Sequence, residues 1–178
     1  NSVGSNYKSK VNRIISNLKR TGSDFQFISS SENNAWLLNI RGEDTNYSPI
    51  PFCYILIDKK KNIKLFCDLN KISFSLKKYL NKVNLISIKK TGNILSQINK
   101  KKFIIDSNSC SIYFENIILK KNFRVNVQDP IYNLKAIKDI KEIKNIKTVH
   151  IIDGAALTKY LFWVKKNFNK RLITEISG

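Results

Sequence analysis

The sequence is poor in several residue types that catalytic and metal sites need. Its 178 residues include one histidine, and its six glycines stand singly. A single histidine excludes a histidine-rich metal site, and scattered glycines exclude a glycine-rich phosphate loop. No Gly-x-Ser-x-Gly or His-Glu-x-x-His motif occurs. No apolar run approaches the ~20 residues of a membrane span. The residues by themselves therefore show no catalytic centre.

Cysteine is also scarce. Cys53, Cys67 and Cys110 form an odd set without a Cys-x-x-Cys pair, and none stands at ligand spacing from His150. Cys53 and Cys67 lie inside apolar runs. This pattern favours small buried thiols in a reducing compartment over a disulfide framework or a zinc site.

Acidic residues are few beside basic ones, 13 against 32, which gives a net charge of +19. Such a surplus is typical of nucleic-acid-binding proteins. However, lysine, isoleucine and asparagine are abundant while alanine and arginine are rare, and the abundant residues have codons rich in A and T. Compositional drift, which scatters lysines over all faces, is favoured. The alternative is a stand-alone basic module that binds nucleic acid or a protein partner through one continuous basic face.

The hydrophobic pattern predicts an α/β fold with a mixed sheet flanked by helices and followed by a long C-terminal helix. Apolar residues at helical spacing predict a first helix over 7–20, and β-rich runs at 52–58 and 63–68 predict a hairpin. Helices and strands then alternate, with one helix expected over 74–83. After Pro130 a mostly helical pattern runs from 134 to 168. We therefore predict a first domain at 1–130 and a second segment at 131–178.

Two features carry open interpretations. Asn39 and Arg41 either tie down the Pro-containing loop through backbone carbonyl groups, with Asp44 as partner, or face a ligand. His150, inside the predicted long helix, is interpreted as a helix-packing residue in preference to a ligand.

Two blocks of the sequence resemble one known family. Residues 31–44 read S-E-N-N-A-W-L-L-N-I-R-G-E-D, and Pro49 follows. They resemble the D-x-I-A-W-L-L-N-I-R-G-x-D-x-x-x-x-P block of Xaa-Pro aminopeptidases, the aminopeptidase P enzymes of the creatinase/prolidase-type pita-bread metallopeptidases. Residues 130–163 resemble the family's P-I-x-x-x-K-A-x-K-N and A-H-x-x-D-G-x-A-L-x-x-F-x-x-W elements, and 174–177 match its T-E-x-S. Asp139 departs from the usual Asn. The motif residues expected to be structural are Trp36, Gly42, Lys135, His150 and Asp153.

The resemblance implies a creatinase N-terminal-like domain at 1–130. It further implies a linker and the first helix of a truncated pita-bread catalytic domain at 131–178. The family's metal ligands lie farther along, so no catalytic or metal-ligating residue and no cofactor is assigned to this chain, which is expected to be an inactive fragment alone. The parent would use two divalent metals, usually Mn²⁺, to remove the N-terminal residue before a penultimate proline.

The resemblance also bears on partners and location. The expected partners are the remaining domains of a cytoplasmic parent enzyme and, at full length, a second copy in a homodimer. No membrane or nucleic-acid partner is implied. The loop that carries Asn39, Arg41 and Asp44 is expected to reach the catalytic cleft or a domain interface.

Overall fold

The computed structural model describes residues 4–176, which divide into two compact units. One unit is Ser5–Ile137, and the other contains the chain from Lys138 onward. Each is described by itself below. The predicted domain boundary at residue 130 stays a prediction.

A mixed sheet forms the centre of the first unit, as predicted. Within residues 4–176 its strands lie in the order β4-β3-β2-β1-β5-β6. β2 is antiparallel to both of its neighbours, and the other pairings are parallel. The predicted hairpin is β2 and β3. The strands are β1 (Phe25–Ile28), β2 (Tyr54–Asp58), β3 (Ile63–Cys67), β4 (Val83–Ser87), β5 (Lys102–Ile105) and β6 (Phe123–Val125).

Helices cover both faces of the sheet because the strand side chains alternate between two apolar clusters. Ile55 and Ile57 of β2 pack with the first cluster, which includes side chains of α1, α2 and α6. Leu56, between them, packs with the second cluster, beneath α4 and α5. The helices of this unit are α1 (Tyr7–Arg20), α2 (Ser31–Leu38), α3 (Phe74–Tyr79), α4 (Thr91–Ser96), α5 (Ile112–Leu119) and α6 (Pro130–Ala136).

Two predicted helices have different bounds in the structure. The helix expected over 74–83 ends at Tyr79, and Val83 instead begins β4, paired with Ile63. The helix expected from 134 begins at Pro130 and stops after Ala136, where Ile137 is extended. Val83 is buried, and a β-branched residue there gains more from pairing in the sheet than from another helical turn. Ile137 pairs in no strand. The helix breaks there because Asp139, two residues later, is the extended N-cap of the next helix.

The second unit contains α7 (Ile140–Asn167). Its start is closed by a capping box: Asp139 accepts from the Glu142 backbone N–H, and Glu142 accepts from the Asp139 N–H. None of the residues of α7 is buried within the structure described. Between residues 4 and 176, no helix is both long and apolar enough to cross a bilayer.

Strand direction divides the first unit into two ends. β1, β3, β4, β5 and β6 all run the same way, so they begin at one end of the sheet and finish at the other. Helices therefore begin where these strands finish, as in other α/β folds. The loop that carries Asn39, Arg41 and Asp44 and the N-termini of α2, α5 and α6 lie at the finishing end.

Candidate functional site

A pocket of about 480 Å³ opens at the end of the sheet where β3 finishes. Its wall combines apolar side chains with charged groups of both signs. It is lined by Ile40, Arg41, Gly42, Glu43, Asp44, Pro51, Phe52, Cys53, Leu65, Cys67, Asp68, Lys71, Ile72 and Leu76. Arg41 and Asp44 were predicted as site residues, and both lie here. The pocket can hold a ligand by charge and apolar contact.

Asn39 ends α2 and joins it to α1. Its backbone is left-handed, with φ 54°, which asparagine tolerates better than most residues. Its Oδ1 accepts from Lys10 Nζ at 2.6 Å, and its Nδ2 donates to the Ser5 carbonyl oxygen at 2.9 Å. Asn39 therefore acts as a tie, although its partners lie in α1 and the segment before it, outside the loop.

Lys10 is the buried cation behind this tie, and sequence reasoning missed it. Its side chain is 3% exposed, although lysine is seldom fully buried. Nζ donates to the Trp36 carbonyl oxygen at 2.9 Å and lies 4.0 Å from the centre of the indole ring. The available signal was its position, because Lys10 falls on the apolar stripe of α1 between Tyr7 and Ile14.

Arg41 and Gly42 shape the pocket rim. Arg41 Nη1 donates to the carbonyl oxygen of the adjacent Ile40 at 2.9 Å. This contact agrees with the interpretation that Arg41 bonds to backbone carbonyl groups. Gly42 donates its N–H to Pro49 O at 3.3 Å. A Cβ at Gly42 would lie 2.8 Å from Pro51 Cα. Only glycine permits this close approach of two backbone segments.

Asp44 does not pair with Arg41, contrary to the prediction. Its carboxylate forms an ion pair with Lys71 and accepts from the Phe52 N–H at 2.7 Å. The hydrogen bond from Lys71 and then that from Phe52 hold the pKa of Asp44 below its usual value. Asp44 thereby links the loop to the segment after β3. Sequence reasoning missed Lys71 because no spacing relates residues 27 positions apart.

Asp129 centres a buried polar network near the same end. Its carboxylate accepts from Gln26 Nε2 at 2.7 Å, from Asn33 Nδ2 at 3.0 Å and from the Ile131 N–H at 2.9 Å. Burial raises the pKa of Asp129 despite these hydrogen bonds. Lys135, a predicted motif residue, donates from Nζ to Asn33 Oδ1 at 3.0 Å. The network joins α6 to β1 and α2.

Comparison with known proteins agrees with this architecture. The Creatinase/Prolidase N-terminal domain matches residues 1–142. The chain belongs to the creatinase/prolidase N-terminal domain family.

Relatives of this creatinase/prolidase domain are Xaa-Pro aminopeptidases by name. Probable Xaa-Pro aminopeptidase P of Ajellomyces dermatitidis is 30% identical over 195 residues, which cover 99% of this chain and 31% of that protein. Xaa-Pro aminopeptidase ApepP of Drosophila melanogaster is 29% identical, over 90% of this chain and 27% of that protein. The chain thus spans about 31% of the first relative's length.

Solved structures share the fold. X-prolyl aminopeptidase of Caenorhabditis elegans, described as a cytosolic enzyme with a di-nuclear active site, superposes with a TM-score of 0.86. It is 21% identical, and the match covers 98% of this chain and 30% of that one. Xaa-Pro dipeptidase of Bacillus anthracis gives a TM-score of 0.67 at 18% identity, over 89% of this chain and 44% of that one. These matches confirm the creatinase N-terminal-like fold.

The remaining motif residues of the creatinase/prolidase chain lie on α7. His150 and Asp153 are exposed. The expectation that His150 is a helix-packing residue therefore stays a prediction. The T-E-x-S match falls partly outside the described residues.

The cysteines behave as predicted. Cys53, Cys67 and Cys110 are buried free thiols. Burial raises the pKa of Cys53 to about 12 and the pKa values of Cys67 and Cys110 to about 11. Such thiols are poor nucleophiles. Residues 4–176 contain no group of three or more His, Cys, Asp or Glu residues that could hold a metal ion.

Charge separates the two ends of the sheet. We call the end where most strands finish the capping end (segments 29–30, 39–53, 68–73, 88–90, 106–111 and 126–129). It contains both signs of charge: Glu43, Asp44, Asp68, Asp106 and Asp129 with Arg41, Lys71, Lys89 and Lys90. We call the opposite end the basic end (segments 21–24, 58–62, 80–82, 97–102 and 120–122). It has two carboxylates, Asp24 and Asp58. Its lysines are Lys59, Lys60, Lys61, Lys82, Lys100, Lys101, Lys102, Lys120 and Lys121.

Proposed function

We propose that this chain is a non-catalytic part of a metal-dependent Xaa-Pro aminopeptidase, whose parent removes the N-terminal residue before a penultimate proline. Residues 1–130 would form its creatinase N-terminal-like domain, and 131–178 the linker and first helix of the catalytic domain. The observation that carries the proposal is the 30% identity to Xaa-Pro aminopeptidase P over 99% of this chain, which is 31% of that relative.

The metal centre would belong to the remaining domains of the parent. A two-metal centre does not fit the described residues, since residues 4–176 hold no suitable donor group. The di-nuclear site of the C. elegans enzyme supports two divalent metals in the parent, and we propose Mn²⁺. Such metals supply the activation of a water molecule. By the same comparison we propose a cytosolic parent. We also propose a homodimer at full length, which rests on the family resemblance alone.

Within this frame we propose that the loop carrying Asn39, Arg41 and Asp44 faces the catalytic cleft or a domain interface. Asn39 and Asp44 are engaged in holding the loop. Arg41 is exposed at the rim of the pocket, with Nη1 on the Ile40 carbonyl oxygen. Arg41 is therefore the member of the loop best placed to meet a peptide carboxylate or a neighbouring domain.

The decisive experiment compares this chain with the full-length parent on a peptide that has proline at its second position. The parent should release the first residue, lose activity on chelation and regain it with Mn²⁺. The 178-residue chain should show no turnover under the same conditions. Turnover by the chain would overturn its non-catalytic role, and an inactive parent with every divalent metal tried would overturn the peptidase assignment.

The loop is tested in the active parent by Arg41→Ala, with Arg13→Ala as the matched control, because Arg13 is an exposed arginine of α1 outside the loop. We expect KM to rise about tenfold, equivalent to ~1.4 kcal/mol of lost binding, while the melting temperature stays close to that of the control. Arg41→Lys should restore little, because lysine lacks the planar fork. Kinetics and stability equal to those of Arg13→Ala would refute the role.

A further inference from the structure

The lysines of the basic end form a continuous row that the peptidase assignment does not explain. The Asp24 N–H donates to the Lys102 carbonyl oxygen at 2.8 Å, and the Lys59 N–H donates to the Asp24 carbonyl oxygen at 3.1 Å. The Lys100 N–H donates to the Lys121 carbonyl oxygen at 2.8 Å. The segments that carry the lysines are therefore direct neighbours. With strands ~4.8 Å apart, the row across six strands is about 24 Å long.

The positive charge of this row is almost uncompensated. Asp24 accepts from Lys59 Nζ at 2.7 Å and from the Lys102 N–H at 3.0 Å. Asp58 accepts from the N–H groups of Lys60 and Asn62 and closes the hairpin turn. Both carboxylates of the basic end thus form hydrogen bonds within it. The nine lysines outnumber these two carboxylates by seven. Close, unpaired like charges raise the local potential and attract polyanions.

Compositional drift and helix capping do not account for the row. Drift scatters lysines over all faces. The capping end of the same unit, however, has five acidic and four basic side chains. Lysines near the end of α5 can complement its dipole. The run Lys59 to Lys61 lies in a hairpin turn, where no helix ends.

We propose that the basic end binds single-stranded nucleic acid through its phosphates, without sequence preference. Phe123 favours this partner over a lipid surface or an acidic protein. Its side chain is 61% exposed, and its N–H donates to the Lys101 carbonyl oxygen at 2.9 Å. An exposed aromatic ring beside a lysine row is the combination on which unpaired bases stack. Lysine, which greatly outnumbers arginine here, contacts phosphate as a point charge and reads no base.

The test measures anisotropy of a fluorescent 16-nucleotide oligo(dT) with the 178-residue chain between 25 and 200 mM salt. About six phosphate contacts predict a slope of about −4 in log K against log salt concentration. The triple variant Lys60→Gln, Lys100→Gln and Lys101→Gln should bind at least tenfold more weakly at low salt, with a slope smaller by about 2.

A matched control removes the same charge from α7: Lys141→Gln, Lys144→Gln and Lys147→Gln. It should bind like the unsubstituted 178-residue chain, and melting temperatures should show that both triple variants fold. Equal losses in the two variants would overturn the proposal and return the charge to general drift. Phe123→Ala should weaken oligo(dT) binding about fivefold or more and leave inorganic polyphosphate binding unchanged. An unchanged oligo(dT) affinity would refute the stacking contact.

Vesicles that contain phosphatidylserine distinguish the lipid alternative. We expect oligo(dT) to compete with any vesicle binding. Binding to vesicles without binding to oligo(dT) would overturn the proposal in favour of a membrane surface. These measurements need no peptidase activity, so their outcome is independent of the proposed function.

Discussion

The two ends of the central sheet place similar polar residues in different physical situations. At the capping end, side-chain oxygens accept hydrogen bonds from the first N–H groups of helices. At the basic end, most polar side chains extend into solvent. The N-cap residues that accept such a hydrogen bond are Ser30, Asp68, Ser73, Ser111 and Asp129.

Strand direction is the cause of this difference. Helices that follow parallel strands begin at one end of the sheet, where each leaves N–H groups without intrahelical partners. Side chains at that end are consequently held by short-range contacts, and changing them costs stability. Lysines at the other end meet water in the folded and unfolded states alike. A lysine at the basic end therefore costs little stability, so selection for ligand binding can set the residues there without weakening the fold.

The largest effect should come from the capping end, at Asp129. Asp129→Ala leaves the amides of Gln26 and Asn33 and the Ile131 N–H without their acceptor. We expect a loss of about 3 kcal/mol in the free energy of unfolding, measured by urea denaturation, because buried unpaired donors carry the full desolvation cost. Asp129→Asn, of nearly the same shape, should lose less. A loss below about 1 kcal/mol for the alanine variant would mean that water replaces the carboxylate.

Gly42→Ala should have the next largest effect. The added Cβ would lie 2.7 Å from Pro51 Cβ and 2.8 Å from Pro51 Cα, so backbone must move. We expect a loss of about 2 kcal/mol in thermal or urea unfolding. Gly154→Ala is the control, since nothing lies within 4 Å of that position in α7. It should raise helicity by far-ultraviolet circular dichroism, and equal losses at the two glycines would contradict the close approach at Gly42.

The pH dependence of stability should have opposite signs for Asp24 at the basic end and for the buried Asp129 at the capping end. The hydrogen bond from Lys59, then that from the Lys102 N–H, lowers the pKa of Asp24, whereas burial raises the pKa of Asp129. The stabilisation by Asp24 is thus present above pH ~4 and is lost as pH falls through its folded pKa. For Asp129 the contribution is full below pH ~4 and is lost as pH rises through its folded pKa.

Urea denaturation from pH 3 to 7 measures this contrast. At each pH the unfolding free energies of Asp24→Asn and Asp129→Asn are compared with that of the unsubstituted chain. The difference for Asp24→Asn should shrink toward acid pH, and that for Asp129→Asn should grow. Parallel profiles would show that the two carboxylates share one environment.

The smallest effect should come from Lys60→Gln at the basic end. The side chain is exposed, and its neighbours Lys59 and Lys61 carry the same charge. We expect a change within about 0.5 kcal/mol, toward stabilisation, because an exposed like charge is removed. Raising the salt concentration should erase the change. A loss above about 1 kcal/mol would show that the basic end is also held by specific contacts.

Much of the fold could be predicted from local pattern, and the site only in part. The stripe from Val11 to Leu18 and the hairpin of β2 and β3 carry their own periodicity. The break at Ile137 was missed, although Asp139 and Glu142 have the spacing of a capping box. One of the two interpretations of Arg41, contact with backbone carbonyl groups, agrees with its hydrogen bond to the Ile40 carbonyl oxygen, and the other, a role toward a ligand, stays a prediction.

The amino-acid sequence by itself determined the α/β class, the mixed sheet, the burial of the thiols and the resemblance to Xaa-Pro aminopeptidases, since these depend on local periodicity and contiguous motifs. Only the tertiary structure decided that Asp44 pairs with Lys71, that Lys10 is buried beneath Trp36, and that the lysines of separate loops meet in one row. Each of these depends on which strands are neighbours and which way they run. Hydrogen bonding across the whole sheet sets that arrangement, and no spacing along the chain records it.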